Sequence, residues 1–192
     1  MIKLAVFASG SGTNAENLIQ YFKDSENFTV KAILCNNPKA GVLQRAKKLE
    51  MKAITFNKSD FVQDSFLKAL EDLDIDAIVL AGFLWKIPEY LIRKFPEKII
   101  NIHPALLPKY GGKGMYGSNV HEAVITNGEK ESGITIHLVN EEYDKGKILF
   151  QASCPVMAKD SPEDLAKRIH QLEYQHFPQI VEDYLRQTLL KV

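Results

Sequence analysis

Cysteine is nearly missing from this chain. Only Cys35 and Cys154 occur, each closing an apolar run, and neither belongs to a CxxC or Cys/His spacing; a disulfide framework and a cysteine-based zinc site are excluded. The pair reads as reduced thiols in a cytoplasmic protein. Net charge is missing too: 24 Lys plus Arg oppose 24 Asp plus Glu, so no overall field recruits nucleic acid or an anionic membrane. No run approaches the roughly 20 apolar residues that span a bilayer. The opening residues lack the basic segment and cleavage site of a secretion signal. Repeats, low-complexity tracts and linkers are also absent, and 192 residues suit one domain over 1–192. Small-molecule partners are expected, without nucleic acid or membrane.

What the chain does contain is alternation. Apolar runs at Ile2–Ala8, Phe28–Cys35, Ala53–Phe56, Ala77–Ala81 and Ile99–Ile102 read as strands, separated by segments of helical period from about Asn14, Val42, Phe61 and Pro88. That order implies βαβ units: a three-layer, Rossmann-like α/β fold with a mainly parallel sheet and helices on both faces. The rhythm then changes. A helix near Val120–Thr126 precedes two strands, Gly133–Val139 and Ile148–Cys154, joined by a short polar stretch, which predicts a mixed or antiparallel C-terminal edge. Pro155 ends the last strand or marks it as an edge. Ser161 reads as an N-cap with Pro162 at the first helical position, opening an amphipathic helix bent at Pro178. Residues 109–117 hold four glycines and are the candidate mobile loop.

Two stretches carry chemistry. In 9-SGSGTNAENL a glycine-rich turn opens the first helix; its amide N–H groups and the helix dipole form an anion site. Gly10, Gly12 and Ala15 also fit a G-x-G-x-x-A dinucleotide fingerprint, but Asn36 and Asn37 stand where the ribose-binding acid belongs, and no lysine follows as in a Walker loop. A plain turn with a Ser or Thr cap is the bland alternative. In 101-NIHPALLP, Asn101 and His103 flank Ile102 at the end of strand five, so both leave on one face, and Pro104 and Pro108 stiffen the backbone behind them. A lone strand-end His is ordinarily a satisfied structural residue. Asp144, in 141-EEYDKGKILFQ, is the candidate partner: facing His103 it would raise the imidazole pKa, while Asn101 donates to a developing oxyanion. His137 shares a strand face with Thr135. His121, His170 and His176 match no compact metal spacing, and a His103–His121–Asp144 metal site is disfavoured; no metal is expected.

Together 9-SGSGTN, 79-VLAGF, 101-NIHPALLP and Asp144 with Gly146 and Gln151 resemble, over essentially the whole chain, the phosphoribosylglycinamide formyltransferase family of the formyltetrahydrofolate-dependent formyltransferases. The resemblance implies formyl transfer from 10-formyltetrahydrofolate, as cosubstrate, to the amine of 5-phosphoribosylglycinamide in purine biosynthesis, by a monomer or weak homodimer. By the same resemblance Asn101, His103 and Asp144 are the catalytic set, Gly12, Thr13 and Asn14 grip the phosphate, and Glu173 binds the ribose. Leu84, Trp85, Lys86 and Ile87 wall the folate pocket, with Asn101 and the backbone from Asn140 to Asp144 at its pterin end. The chain departs from the family's usual Met-Arg-Ile-Leu at 84-LWKI and has Gly111 where a proline is usual. Rivals are transfer to an aminoacyl-tRNA or amino sugar, formylfolate hydrolysis, and a non-catalytic dinucleotide sensor. The tRNA enzyme should add a basic C-terminal domain and the hydrolase an N-terminal one.

Overall fold

The structure, a computed structural model, describes residues 1–190. Its strands are β1 (Ile2–Ala8), β2 (Phe28–Cys35), β3 (Ala53–Thr55), β4 (Ala77–Leu80), β5 (Ile99–His103), β6 (Glu131–Leu138) and β7 (Ile148–Pro155). The α-helices are α1 (Thr13–Phe22), α2 (Gly41–Lys48), α3 (Lys58–Phe61), α4 (Leu67–Glu71), α5 (Glu89–Lys94), α6 (Ser118–Thr126) and α7 (Pro162–Leu189). One sheet holds all seven strands in the order β3-β2-β1-β4-β5-β6-β7. Pairs from β3 through β5 are parallel, and β6 and β7 join antiparallel, as the short polar connection predicts. The chain winds outward from β1 to β3 and then returns to β4 on the other side of β1. That reversal opens a crevice at the carboxyl ends of β1 and β4.

Period-two alternation explains the three layers. Along β1, Leu4, Val6 and Ala8 pack toward α1, α6 and α7, whereas Ala5 and Phe7 pack toward α3, α4 and α5. Phe7 is fully buried and meets Phe56, Phe61, Phe66 and Phe83 at centroid distances of 5.4–6.4 Å. Such burial stabilises the fold by about 1.5–3 kcal/mol per ring.

Four local outcomes bear on the sequence expectations. The helix expected from about Phe61 is broken into α3, a 3₁₀ turn at Asp64–Phe66 and α4; α3 starts early because Asn57 caps it, its Oδ1 accepting from the Asp60 N–H at 3.0 Å. Ser161 and Asp164 form the capping box that starts α7. Helix α7 then runs on through Pro178, where a bend was expected. The Tyr174 carbonyl, which Pro178 cannot bond, accepts from Asn17 Nδ2 at 3.1 Å. Between β6 and β7 the register slips: Ile136 pairs with Phe150 but His137 with Ile148, leaving Leu149 as the extra residue of a bulge.

Candidate active site

A cavity of about 590 Å³ lies at the carboxyl ends of β1, β4 and β5. Residues 10–14, Asn101 and His103, the loop 112–117, and Asp144 all line it, together with His121 on α6 and His170 and Glu173 on α7.

The glycine turn is built by its surroundings. Gly12 sits at the N-cap of α1 with φ 79° and no side-chain cap, which sets aside the Ser or Thr cap; a Cβ there would run into Val42. The Gly10 carbonyl accepts from the Val42 N–H at 3.1 Å, and the Ser11 carbonyl accepts from Arg45 Nε at 2.9 Å. The turn's acceptors are therefore used, while the first N–H groups of α1 have no intrahelical partner and stand at the cavity. Asn14 donates from Nδ2 to Glu173 Oε2 at 2.8 Å. Burial pushes Glu173 up to about 7 against that bond.

Antiparallel pairing places Asn101 opposite His137. The His137 Nδ1–H donates to the Leu138 carbonyl at 2.8 Å, so the Nε2 lone pair accepts from Asn101 Nδ2 at 3.0 Å. One amide hydrogen of Asn101 is thereby fixed and the other is left for a ligand. The buried His103 donates from Nε2 to the Tyr110 carbonyl at 2.7 Å, and its Nδ1 faces Asp144 Oδ2 at 3.7 Å. Asp144 Oδ1 is 3.6 Å from His137 Nε2, and its Oδ2 accepts from the Gly112 N–H at 2.8 Å. Both Tyr110 and Asp144 hold left-handed backbone, φ 56° and 55°, a conformation that Asp tolerates and that costs Tyr more.

The electrostatics correct one expectation. Asp144 does face His103, yet the imidazole pKa is lowered, because desolvation by burial outweighs the raising effects of Asp144 and the Tyr110 carbonyl. Burial pushes the Asp144 carboxyl up, but His137, His103 and the Gly112 N–H together hold it below the ordinary carboxylate value. The resting pair is thus a carboxylate beside a neutral imidazole.

The backbone behind His103 is held by side chains as well as by prolines. Thr135 Oγ1 donates to the Ala105 carbonyl at 2.6 Å and accepts from the Leu107 N–H at 3.0 Å. Gln151 Nε2 donates to the Leu107 carbonyl at 3.0 Å.

Of the expected folate wall, exposed Leu84 lines the cavity; Trp85, Lys86 and Ile87 do not. Trp85 packs on Phe56 and Phe61 at 5.9 and 5.8 Å with Lys58 Nζ 4.6 Å from its ring centroid, and Ile87 is buried in the core, where large apolar groups are most stabilised. Asn140 also lies off the cavity. Its side chain accepts from the Glu142 N–H at 3.0 Å and donates to the Lys145 carbonyl at 3.3 Å, shaping the turn that carries Asp144. Sequence reasoning missed the bond from the Tyr110 carbonyl to His103 and the place of His121 in the cavity wall, where it is buried with an unpartnered Nδ1 and pushed down to about 4 by burial and by nearby His170 and His103. No group of three or more His, Cys, Asp and Glu residues is arranged to hold a metal ion among the described residues.

The doubly wound sheet, with a glycine turn and an amide–imidazole–carboxylate set at one cavity, is the architecture of a nucleotide-handling enzyme class, and the family model described as formyl transferase matches residues 2–181: the chain belongs to that family. A chloroplastic phosphoribosylglycinamide formyltransferase of Arabidopsis thaliana is 42% identical over 186 residues, 93% of this chain and 64% of that protein. The phosphoribosylglycinamide formyltransferase of Bacillus subtilis (strain 168) is 35% identical over 193 residues, 96% of this chain and 95% of that one. The crystal structure of glycinamide ribonucleotide transformylase 1 from Geobacillus kaustophilus superposes with a TM-score of 0.86 at 34% identity, covering 96% of this chain and 99% of that one. This chain thus spans less than two thirds of the Arabidopsis protein and nearly the full length of the two bacterial ones. No helix is long and apolar enough to cross a membrane among the described residues.

Proposed function

We propose that the chain transfers a formyl group from 10-formyltetrahydrofolate to the amino nitrogen of 5-phosphoribosylglycinamide, a step of purine biosynthesis. The observation that carries this reading is the shared cavity, in which Asn101, His103 and Asp144 stand with the glycine turn and Glu173. The amides of Gly12, Thr13 and Asn14 take the substrate phosphate and Glu173 the ribose hydroxyls. Leu84 takes part of the folate, with Trp85, Lys86 and Ile87 behind it, and Asn140 holds the turn at the pterin end. The free thiols Cys35 and Cys154 support a cytoplasmic location.

His103 starts neutral, as its burial dictates. When the substrate amine attacks the formyl carbon, that nitrogen sheds a proton, and the imidazole accepts it with the Asp144 carboxylate opposite Nδ1. The charged imidazolium and the free Asn101 N–H then stabilise the oxyanion. Returning the proton to the departing folate nitrogen breaks the old C–N bond and restores neutral His103, so no net proton is gained or lost.

The test follows folate deformylation by absorbance, with and without 5-phosphoribosylglycinamide. Turnover that needs the amine is expected, and Asp144→Asn or His103→Ala should lower kcat about 10²–10³-fold, by analogy with loss of one oxyanion donor. Turnover without the amine, or near-normal rates in both variants, refutes the proposal.

A further inference from the structure

The geometry points to Lys113 as the group that grips the substrate phosphate from across the cavity and couples that grip to the placement of Asp144; the inference rests on the function proposed above. The glycine turn supplies amide donors without a cation of its own. Its neighbour Arg45 is held by the Ser11 carbonyl and the Glu16 carboxylate, and does not line the cavity. A phosphate dianion bound only by amides would lack a full countercharge, and Lys113 is the only lysine or arginine among the lining residues. Of the three histidines there, His103 and His121 are buried and biased by that burial toward their neutral forms, and His170, exposed at the rim, is shifted in the same direction.

Lys113 is also free to serve. Lys109 is tied to Glu129, but Lys113 is exposed and has no ionic partner among the described residues. Gly112 and Gly114 flank it at φ 97° and 90°, with open space where a side chain would stand, so its stem can swing without a clash. Buried His121, with its unpartnered Nδ1, lines the same cavity, a second polar group there awaiting a ligand. The residue before Lys113 matters most: the Gly112 N–H already donates to Asp144 Oδ2 at 2.8 Å. A phosphate drawing Lys113 inward holds that bond closed, so the inert end of the substrate helps position the carboxylate beside His103.

The test compares the parent enzyme and Lys113→Gln on 5-phosphoribosylglycinamide and on the same molecule without its phosphate. The parent should prefer the phosphorylated amine. In Lys113→Gln that preference, as a ratio of kcat/KM values, should fall roughly ten- to a hundredfold, the scale of one lost charge-assisted bond. The change should appear in KM for the amine, from the lost grip, and in kcat, from the less firmly placed Asp144, and Lys113→Arg should recover most of both. An unchanged preference in Lys113→Gln, or a KM rise confined to the formylfolate, overturns the role of Lys113 while leaving the function intact. A parent enzyme that transfers no formyl group to either amine overturns both.

Discussion

Glu173 offers the sharpest physical test. It is 6% exposed, and burial raises its carboxyl from 4.5 to about 7, only partly offset by the Asn14 amide. The unfolded chain ionises this group near its ordinary value, so the folded state holds the proton more tightly between pH 4.5 and 7. Stability from this group is complete below pH 4.5 and is lost as pH rises through 7. At about 1.4 kcal/mol per pH unit of difference, ionised Glu173 costs roughly 3 kcal/mol at pH 8 and under about 1 kcal/mol at pH 5. Glu173→Gln has the same shape, keeps an acceptor for Asn14 Nδ2, and adds a donor for the buried, unpartnered Asn14 Oδ1. The variant should therefore melt higher than the parent by about 6–12 °C at pH 8, with most of the gap closed at pH 5. Scanning calorimetry of both proteins across that range decides it. A gap that does not change with pH, or a variant less stable at pH 8, refutes the argument. The same change should raise KM for the nucleotide substrate, a stability gain set against function.

Three further outcomes are expected. Because burial lowers the His103 pKa, the acid limb of kcat/KM should fall below pH 6.5, and Asp144→Asn, by removing the charge that raises it, should move the limb lower still; a pH–rate profile reads both. His137→Ala should lower kcat about tenfold or more with little change in KM, since it frees the Asn101 amide to rotate; equal loss in binding of both substrates, measured by titration, counts against this positioning role. Gly12→Ala should destabilise the fold by about 1–3 kcal/mol, seen in urea unfolding, because it combines a left-handed backbone with a clash at Val42.

Much of this was legible in the residues. Strand runs such as Ile2–Ala8, apolar on both faces apart from Lys3, carry the mark of a buried parallel sheet, and the alternation in 101-NIH by itself puts its amide and imidazole on one side. Antiparallel register was not legible. The pattern of 133-GITIHLV places Thr135 and His137 together but not which β5 residue each opposes, and that offset decides that His137 orients Asn101 while Thr135 secures the loop behind His103. Burial was the other blind spot. Charge pairing suggested a raised His103 pKa, but desolvation depends on how completely the fold covers the ring, which composition alone leaves open. Trp85 likewise sits in a pocket-wall motif, yet its ring is claimed by Phe56 and Phe61, which lie well before it in the chain.

The bulge at Leu149 reaches beyond local geometry. It absorbs one residue of slack between β7 and β6 immediately beside His137, and the ladder regains its register at Phe150, so Gln151 still meets Thr135 and reaches the Leu107 carbonyl. Removing Leu149 alone would therefore leave the pairs on either side in place, whereas the inner ladder from Ile100 to His103 has no such slack.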